Sequence, residues 1–149
     1  MFMELDGDRA EREIAGAGAY LLGRPECSSK KYGVVGFCMG GALAQYTAAK
    51  ESSAGAAVSF YGGFKQLSIP WQNLSGPLLL IYGENDASVT PESGRKLSAE
   101  LKSLGKTVDL VIYPNAGHAF FNDSRPQVYN KAASEDAWTR TLSLFRGNL

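Results

Sequence analysis

Long apolar runs are absent. No stretch of the chain approaches the ~20 residues needed to cross a bilayer, so no membrane partner is expected. Charge of one sign is absent too: 15 Lys and Arg balance 15 Asp and Glu. A chain without a basic field has nothing to gather phosphates, which argues against nucleic acid as a partner. Cysteine is scarce, at 2 residues, and histidine scarcer, at 1. Two cysteines cannot staple a chain of 149 residues, so each needs its own explanation. Cys27 and Cys38 form no C-x-x-C pair, which leaves disulfide exchange little support. One histidine and two distant cysteines give no zinc spacing, and neither metal nor cofactor is expected. Met1 to Arg12 is mostly charged and lacks a basic segment leading into an apolar one, so it does not read as a signal peptide. A cytoplasmic location follows, where thiols stay reduced.

What is present is ordinary for a globular chain, 44% apolar and 20% charged, and the length points to one domain over residues 1–149. Helical and strand-like segments alternate, with no internal repeat or linker. Arg9 to Leu22 carries an apolar helical face, and Tyr32 to Phe37 reads as a short buried strand. Gly40 to Lys50 is Ala-rich and helical, Ala56 to Tyr61 and Leu78 to Tyr82 are apolar strands, and Pro91 to Leu104 is a helix stopped by Gly105. The charged run Glu92 to Lys106 reads as that helix's solvated face. Val108 to Tyr113 is a fourth strand, and Tyr129 to Phe145 a closing helix. This alternation predicts βαβ units and a parallel sheet flanked by helices, with reactive groups at the C-terminal strand ends.

Three candidate residues follow three of those strands. Gly36-Phe37-Cys38-Met39-Gly40-Gly41 has the G-x-nucleophile-x-G form of a tight strand-to-helix turn. Such a turn strains the central residue, asks for glycine nearby, and aims a helix N-terminus at the side chain, favouring thiolate. The backbone N–H of Met39 would then face a developing oxyanion. His118, after the fourth strand, is the one evident base near neutral pH. Asp86, after the third, is preferred as its carboxylate partner because it lies further past the strand end. Glu84 competes, and spacing alone does not decide between them. Cys27 reads as a bland loop cysteine. Phe37, Tyr61, Phe120 and Phe121 flank strand ends and are candidate pocket walls, with ordinary core packing as the competing reading. Trp71 and Trp138 read as packing residues.

The order nucleophile, acid, histidine is that of α/β-hydrolases. Val34 to Gly41, Tyr82-Gly83-Glu84-Asn85-Asp86, Gly117-His118-Ala119-Phe120 and Asp136-Ala137-Trp138 resemble the dienelactone hydrolase family. Its best-known members are carboxymethylenebutenolidases, which open an enol-lactone. The similarity runs from about Ile14 to Phe145. It implies an α/β-hydrolase fold with the N-terminal strands missing and about four strands retained. It also implies Cys38 as nucleophile, Asp86 as acid, His118 as base and Tyr61 near the pocket. The family's early strands carry a second oxyanion N–H, a glutamate that modulates the cysteine and a substrate-binding arginine, none of which has an equivalent here. A second family arginine, four residues after the histidine, is replaced by Asn122, with Arg125 nearby but out of register.

The expected function is hydrolysis of a small-molecule carboxylic ester or lactone through an acyl-cysteine intermediate. The rival reading is an inactive truncated remnant serving as an interaction or oligomerisation module. One missing oxyanion donor lowers rates about 10²–10³-fold, and a free sheet edge next to the elbow strand invites self-association.

Overall fold

Four continuous apolar runs, each closed by glycine, proline or a polar turn, become the four strands of one parallel sheet. In the computed structural model, which describes residues 6–63 and 67–149, these are β1 (Tyr32–Phe37), β2 (Ala54–Phe60), β3 (Leu78–Gly83) and β4 (Val108–Tyr113). They lie in the order β1-β2-β3-β4. Register is continuous across the sheet, with Phe37 opposite Phe60, Phe60 opposite Ile81 and Ile81 opposite Val111. Residues 1–5, part of the segment read as lacking a signal peptide, lie outside the described residues.

Both faces of the sheet are covered, which is why the strands read as unbroken apolar runs rather than alternating ones. Helices α1 (Gly7–Leu22), α2 (Met39–Lys50) and α3 (Pro91–Ser103) cover one face. There Val34, Leu78, Leu80 and Tyr82 pack with Ala44, Ala48 and Leu101. Helix α4 (Lys131–Asn148) covers the other, where Val58, Phe60, Leu79 and Ile81 pack with Ala133 and Ala137. The alanines of α2 let that helix sit close against β1 and β2. A 3₁₀ turn, Trp71–Asn73, lies between β2 and β3.

Polar contacts fix where the helices start and how they dock. Asp6, Thr90 and Asn130 cap α1, α3 and α4 by accepting from the N–H groups of Arg9, Ser93 and Ala133. Helix α1 is tied to α2 by Asp8, which accepts from the Tyr46 hydroxyl at 2.6 Å and Lys50 Nζ at 2.9 Å. The buried Glu11 carboxylate also lies 3.3 Å from Lys50 Nζ. No helix among the described residues is long and apolar enough to cross a membrane.

Because all strands run parallel, their C-terminal ends share one rim, and β1 leads there directly into α2. Among the described residues β1 pairs with β2 alone, so the strand carrying the elbow is itself an edge of the sheet.

Candidate functional site

Cys38 stands between β1 and α2 with φ 54° and ψ −121°, a conformation that side chains rarely adopt. Holding a non-glycine residue there costs on the order of 1–3 kcal/mol, which the surrounding packing has to supply. The tight turn explains Gly36, where a Cβ would overlap the Gly40 carbonyl. Gly40 itself faces open space, so the expectation that its neighbour position sterically needs glycine fails there. The bonds from Cys38 N–H to Phe60 O at 3.0 Å and from Gly41 N–H to Cys38 O at 2.9 Å hold the elbow between β2 and α2. Met39 and Gly40 open the helix, so their N–H groups have no intrahelical acceptor. The strain is testable. Cys38→Gly should unfold at higher urea than Cys38→Ala, by about 1 kcal/mol of stability. A glycine variant less stable than the alanine one would show the turn to be unstrained.

His118 and Asp86 come from adjacent loops beyond β4 and β3, joined by backbone bonds. Glu84 N–H donates to Tyr113 O and Asn85 N–H to Ala116 O, each at 2.9 Å. A Cβ on Gly83 would overlap Ala116 O, so close approach of the two loops depends on that glycine. Left-handed residues on either side of the histidine, Asn115 at φ 57° and Ala119 at φ 61°, turn its loop back toward the sheet.

The three side chains meet at the rim. His118 Nε2 lies 3.2 Å from Cys38 Sγ, and His118 Nδ1 lies 2.7 Å from Asp86 Oδ2. Asp86 is buried, and its other oxygen accepts from Ser88 N–H at 2.8 Å and Val89 N–H at 2.9 Å. The carboxylate is thus satisfied on both oxygens without reaching solvent. That settles which acid reaches the ring, since Glu84 is exposed while Asp86 turns inward. Cys38 is exposed to the cleft, whereas Cys27 is half-buried with its thiol 3.8 Å from the Ser29 carbonyl.

Outside the thiol opens a cleft of about 840 Å³, within the range usual for small-molecule sites. Phe37, Tyr61, Phe121 and Asn122 line it. Tyr61 follows β2 with its ring 5.0 Å from that of His118. Burial, reinforced by the neighbouring Cys38, pushes its hydroxyl up to about 12, so it stays a protonated donor at neutral pH. Asn122 also folds on itself, its side-chain carbonyl accepting from Ser124 N–H at 3.1 Å and Ser124 Oγ at 2.6 Å.

Two expectations are corrected. Phe120 is not a pocket wall: it is fully buried in the α4 face of the core, its ring 5.5 Å from Tyr113. The left-handed Ala119 reverses which of the two phenylalanines points inward, leaving Phe121 to face the cleft. Trp138 is not a simple packing residue either. It is half-exposed, lies 6.0 Å from Phe121 and lines the cleft. Glu135, Trp138 and Thr139 form a stripe spaced three and four along α4, one flank away from the buried Ala133 and Ala137. That spacing was the missed signal. Asp136, beside it, accepts from the Tyr113 hydroxyl at 2.6 Å and Arg140 Nε at 2.7 Å, fixing α4 to the end of β4.

Residues 2–149 match the profile of the dienelactone hydrolase family. A protein of Escherichia coli K12 bearing the name carboxymethylenebutenolidase is 37% identical over 122 residues, covering 76% of this chain and 45% of its own length. One of that name from Saccharolobus solfataricus is 42% identical over 117 residues, covering 78% and 44%. The chain thus spans about half the length of such relatives. Among solved structures, a Klebsiella pneumoniae protein described as a dienelactone hydrolase superposes with a TM-score of 0.87 at 27% identity, covering 98% of this chain and 64% of that one. A dienelactone hydrolase-like promiscuous phosphotriesterase from metagenomic libraries superposes at 0.82 with 25% identity, covering 95% and 63%.

Proposed function

The chain belongs to the dienelactone hydrolase family, and from that premise we propose that it hydrolyses small carboxylic esters or lactones of dienelactone type through an acyl-cysteine intermediate. One observation carries the reading: thiol, imidazole and buried carboxylate in line at the strand ends, with separations of 3.2 Å and 2.7 Å. Cys38 is the nucleophile, His118 the base and Asp86 the residue that orients the ring.

His118 Nε2 takes the Cys38 proton, and the sulfur attacks the carbonyl carbon to form a C–S bond. The electron pair of the C=O bond moves to oxygen, where the Met39 N–H at the start of α2 stabilises it. Collapse restores the carbonyl and breaks the bond to the alcohol oxygen, which leaves with the proton held on His118. Water, deprotonated by the same nitrogen, then attacks the thioester and frees the acid, returning the proton to sulfur. Asp86 keeps the Nδ1 proton in place throughout and stabilises the positive ring.

A thiol suits activated esters and enol-lactones, whose leaving oxygen is stabilised, and works best in a reducing compartment such as the cytoplasm. The test is rapid-quench mass spectrometry with p-nitrophenyl acetate. A single acetyl group should appear on the peptide containing Cys38 during turnover. Turnover with the label elsewhere, or with none, would overturn the cysteine as nucleophile.

A further inference from the structure

Cys38 shares its strain with a neighbour at the rim. Tyr61, directly after β2, has φ 40°, a left-handed backbone that a residue with a Cβ adopts only where its surroundings impose it. Here they impose it from both sides. Cys38 N–H donates to Phe60 O at 3.0 Å, which bonds the elbow to the residue before Tyr61, and Tyr61 N–H donates to Ile81 O at 2.7 Å. A Cβ on Gly62 would overlap Ser59 Oγ and the backbone of α2 at Gly41 and Ala42, so the close packing continues past the tyrosine. The side chain held in this way is buried yet lines the cleft. Its ring stands 5.0 Å from that of His118 and 5.6 Å from that of Phe120. Burial acts most strongly on its hydroxyl, and Cys38 comes next, ahead of Asp86, which turns the phenol oxygen to the sulfur side of the His118 ring.

A sulfur nucleophile sets a problem that an oxygen nucleophile does not. The tetrahedral intermediate can expel either the thiolate or the ester oxygen, and the less basic of the two leaves faster. Collapse therefore runs backward, to thiolate and intact ester, unless the leaving oxygen is stabilised as its bond breaks. The N–H at the start of α2 is assigned to the carbonyl oxygen, which leaves that second oxygen to the side of the cleft where His118 delivers its proton.

We propose that the Tyr61 hydroxyl donates a hydrogen bond to the leaving oxygen of the ester or lactone, beside His118 Nε2. As the C–O bond breaks, its electron pair stays on that oxygen, which takes its proton from His118, while Tyr61 keeps its own. A phenol held protonated by burial stays a donor at neutral pH through the whole cycle. In a lactone the leaving oxygen remains tethered to the acyl group, and the same donor restrains it from re-attacking the thioester. This rests on the hydrolase reading of the same site and adds the group that receives the leaving oxygen.

The test compares wild type with Tyr61→Phe, which keeps the ring and removes the donor, on the acetates of p-nitrophenol, phenol and p-methoxyphenol. The three share one acyl group and differ in the basicity of the leaving oxygen. The readout is kcat/KM, which covers only the steps up to departure of the alcohol. The loss in the variant should grow with that basicity, from about threefold for the p-nitrophenyl ester to about thirtyfold for the p-methoxyphenyl ester. Because the esters are compared within one variant, any loss of folded protein cancels from the ratio. An equal loss with all three would mark a structural role, and an unchanged kcat/KM would mean that the hydroxyl never reaches the leaving oxygen. Either result overturns the proposal while acetylation of Cys38 keeps the hydrolase reading in place. A wild-type chain that turns over none of the esters and carries no acetyl group on Cys38 would overturn the hydrolase reading, and the role of Tyr61 with it.

Discussion

Cys38→Ala is expected to lower hydrolysis of p-nitrophenyl acetate by at least about 10³-fold while leaving the fold intact. Without sulfur no acyl-enzyme forms, and what remains is the cleft with the N–H groups at the start of α2. In serine hydrolases such leftover elements retain only a small part of the rate enhancement, which sets the scale of the loss. Stability should change little because Cys38 is exposed and its thiol contacts the His118 ring at the rim rather than the core. The change should stay within about 1 kcal/mol, since no buried volume is removed. Far-UV dichroism and the urea midpoint check the fold, and initial rates check the chemistry. Cys38→Ser keeps a hydrogen-bonding hydroxyl at the same place and should fall between alanine and wild type, because an alcohol is harder to deprotonate than a thiol. An alanine variant with wild-type rates would remove the cysteine from the mechanism altogether.

Much of this site is legible from the chain because its parts follow strands that are easy to see. Val108 to Tyr113 is a strand with the bounds read from its apolar run, and Leu78 to Tyr82 gains only Gly83. The closing helix is less well marked. It begins at Lys131 because the Asn130 side chain caps Ala133 N–H, and it runs on to Asn148 past the apolar residues that suggested an end at Phe145. What the sequence leaves open are choices made by single backbone angles. Asp86 and Glu84 are two residues apart, and only the turn that lends the N–H groups of Ser88 and Val89 to Asp86 draws it inward. Phe120 and Phe121 are neighbours, and the left-handed Ala119 decides which is core and which is wall. The third kind of miss is tertiary. Trp138 reads as packing until α4 is laid across the sheet, when its flank becomes one side of the cleft.

The buried carboxylate gives the second large effect. In Asp86→Asn the side-chain carbonyl is expected to keep the bonds from Ser88 and Val89 N–H, because they lie on the oxygen away from the histidine. The amide nitrogen then faces His118 Nδ1 and donates where the carboxylate accepted. That forces the ring proton onto Nε2, which now points an N–H at the sulfur and has no lone pair to receive the thiol proton. The same inversion in a serine triad costs about 10⁴-fold, and a fall of about 10³–10⁴-fold in kcat is expected here. The fold separates this account from simple disruption: far-UV dichroism and the urea midpoint should stay near wild type while kcat falls, whereas a variant that had lost the loop packing would lose both together. Glu84→Gln supplies the control, since Glu84 is exposed and two residues away, and its rate should stay near wild type. Near-wild-type rates in Asp86→Asn, or a larger loss in Glu84→Gln, would transfer the acid's role to the other residue.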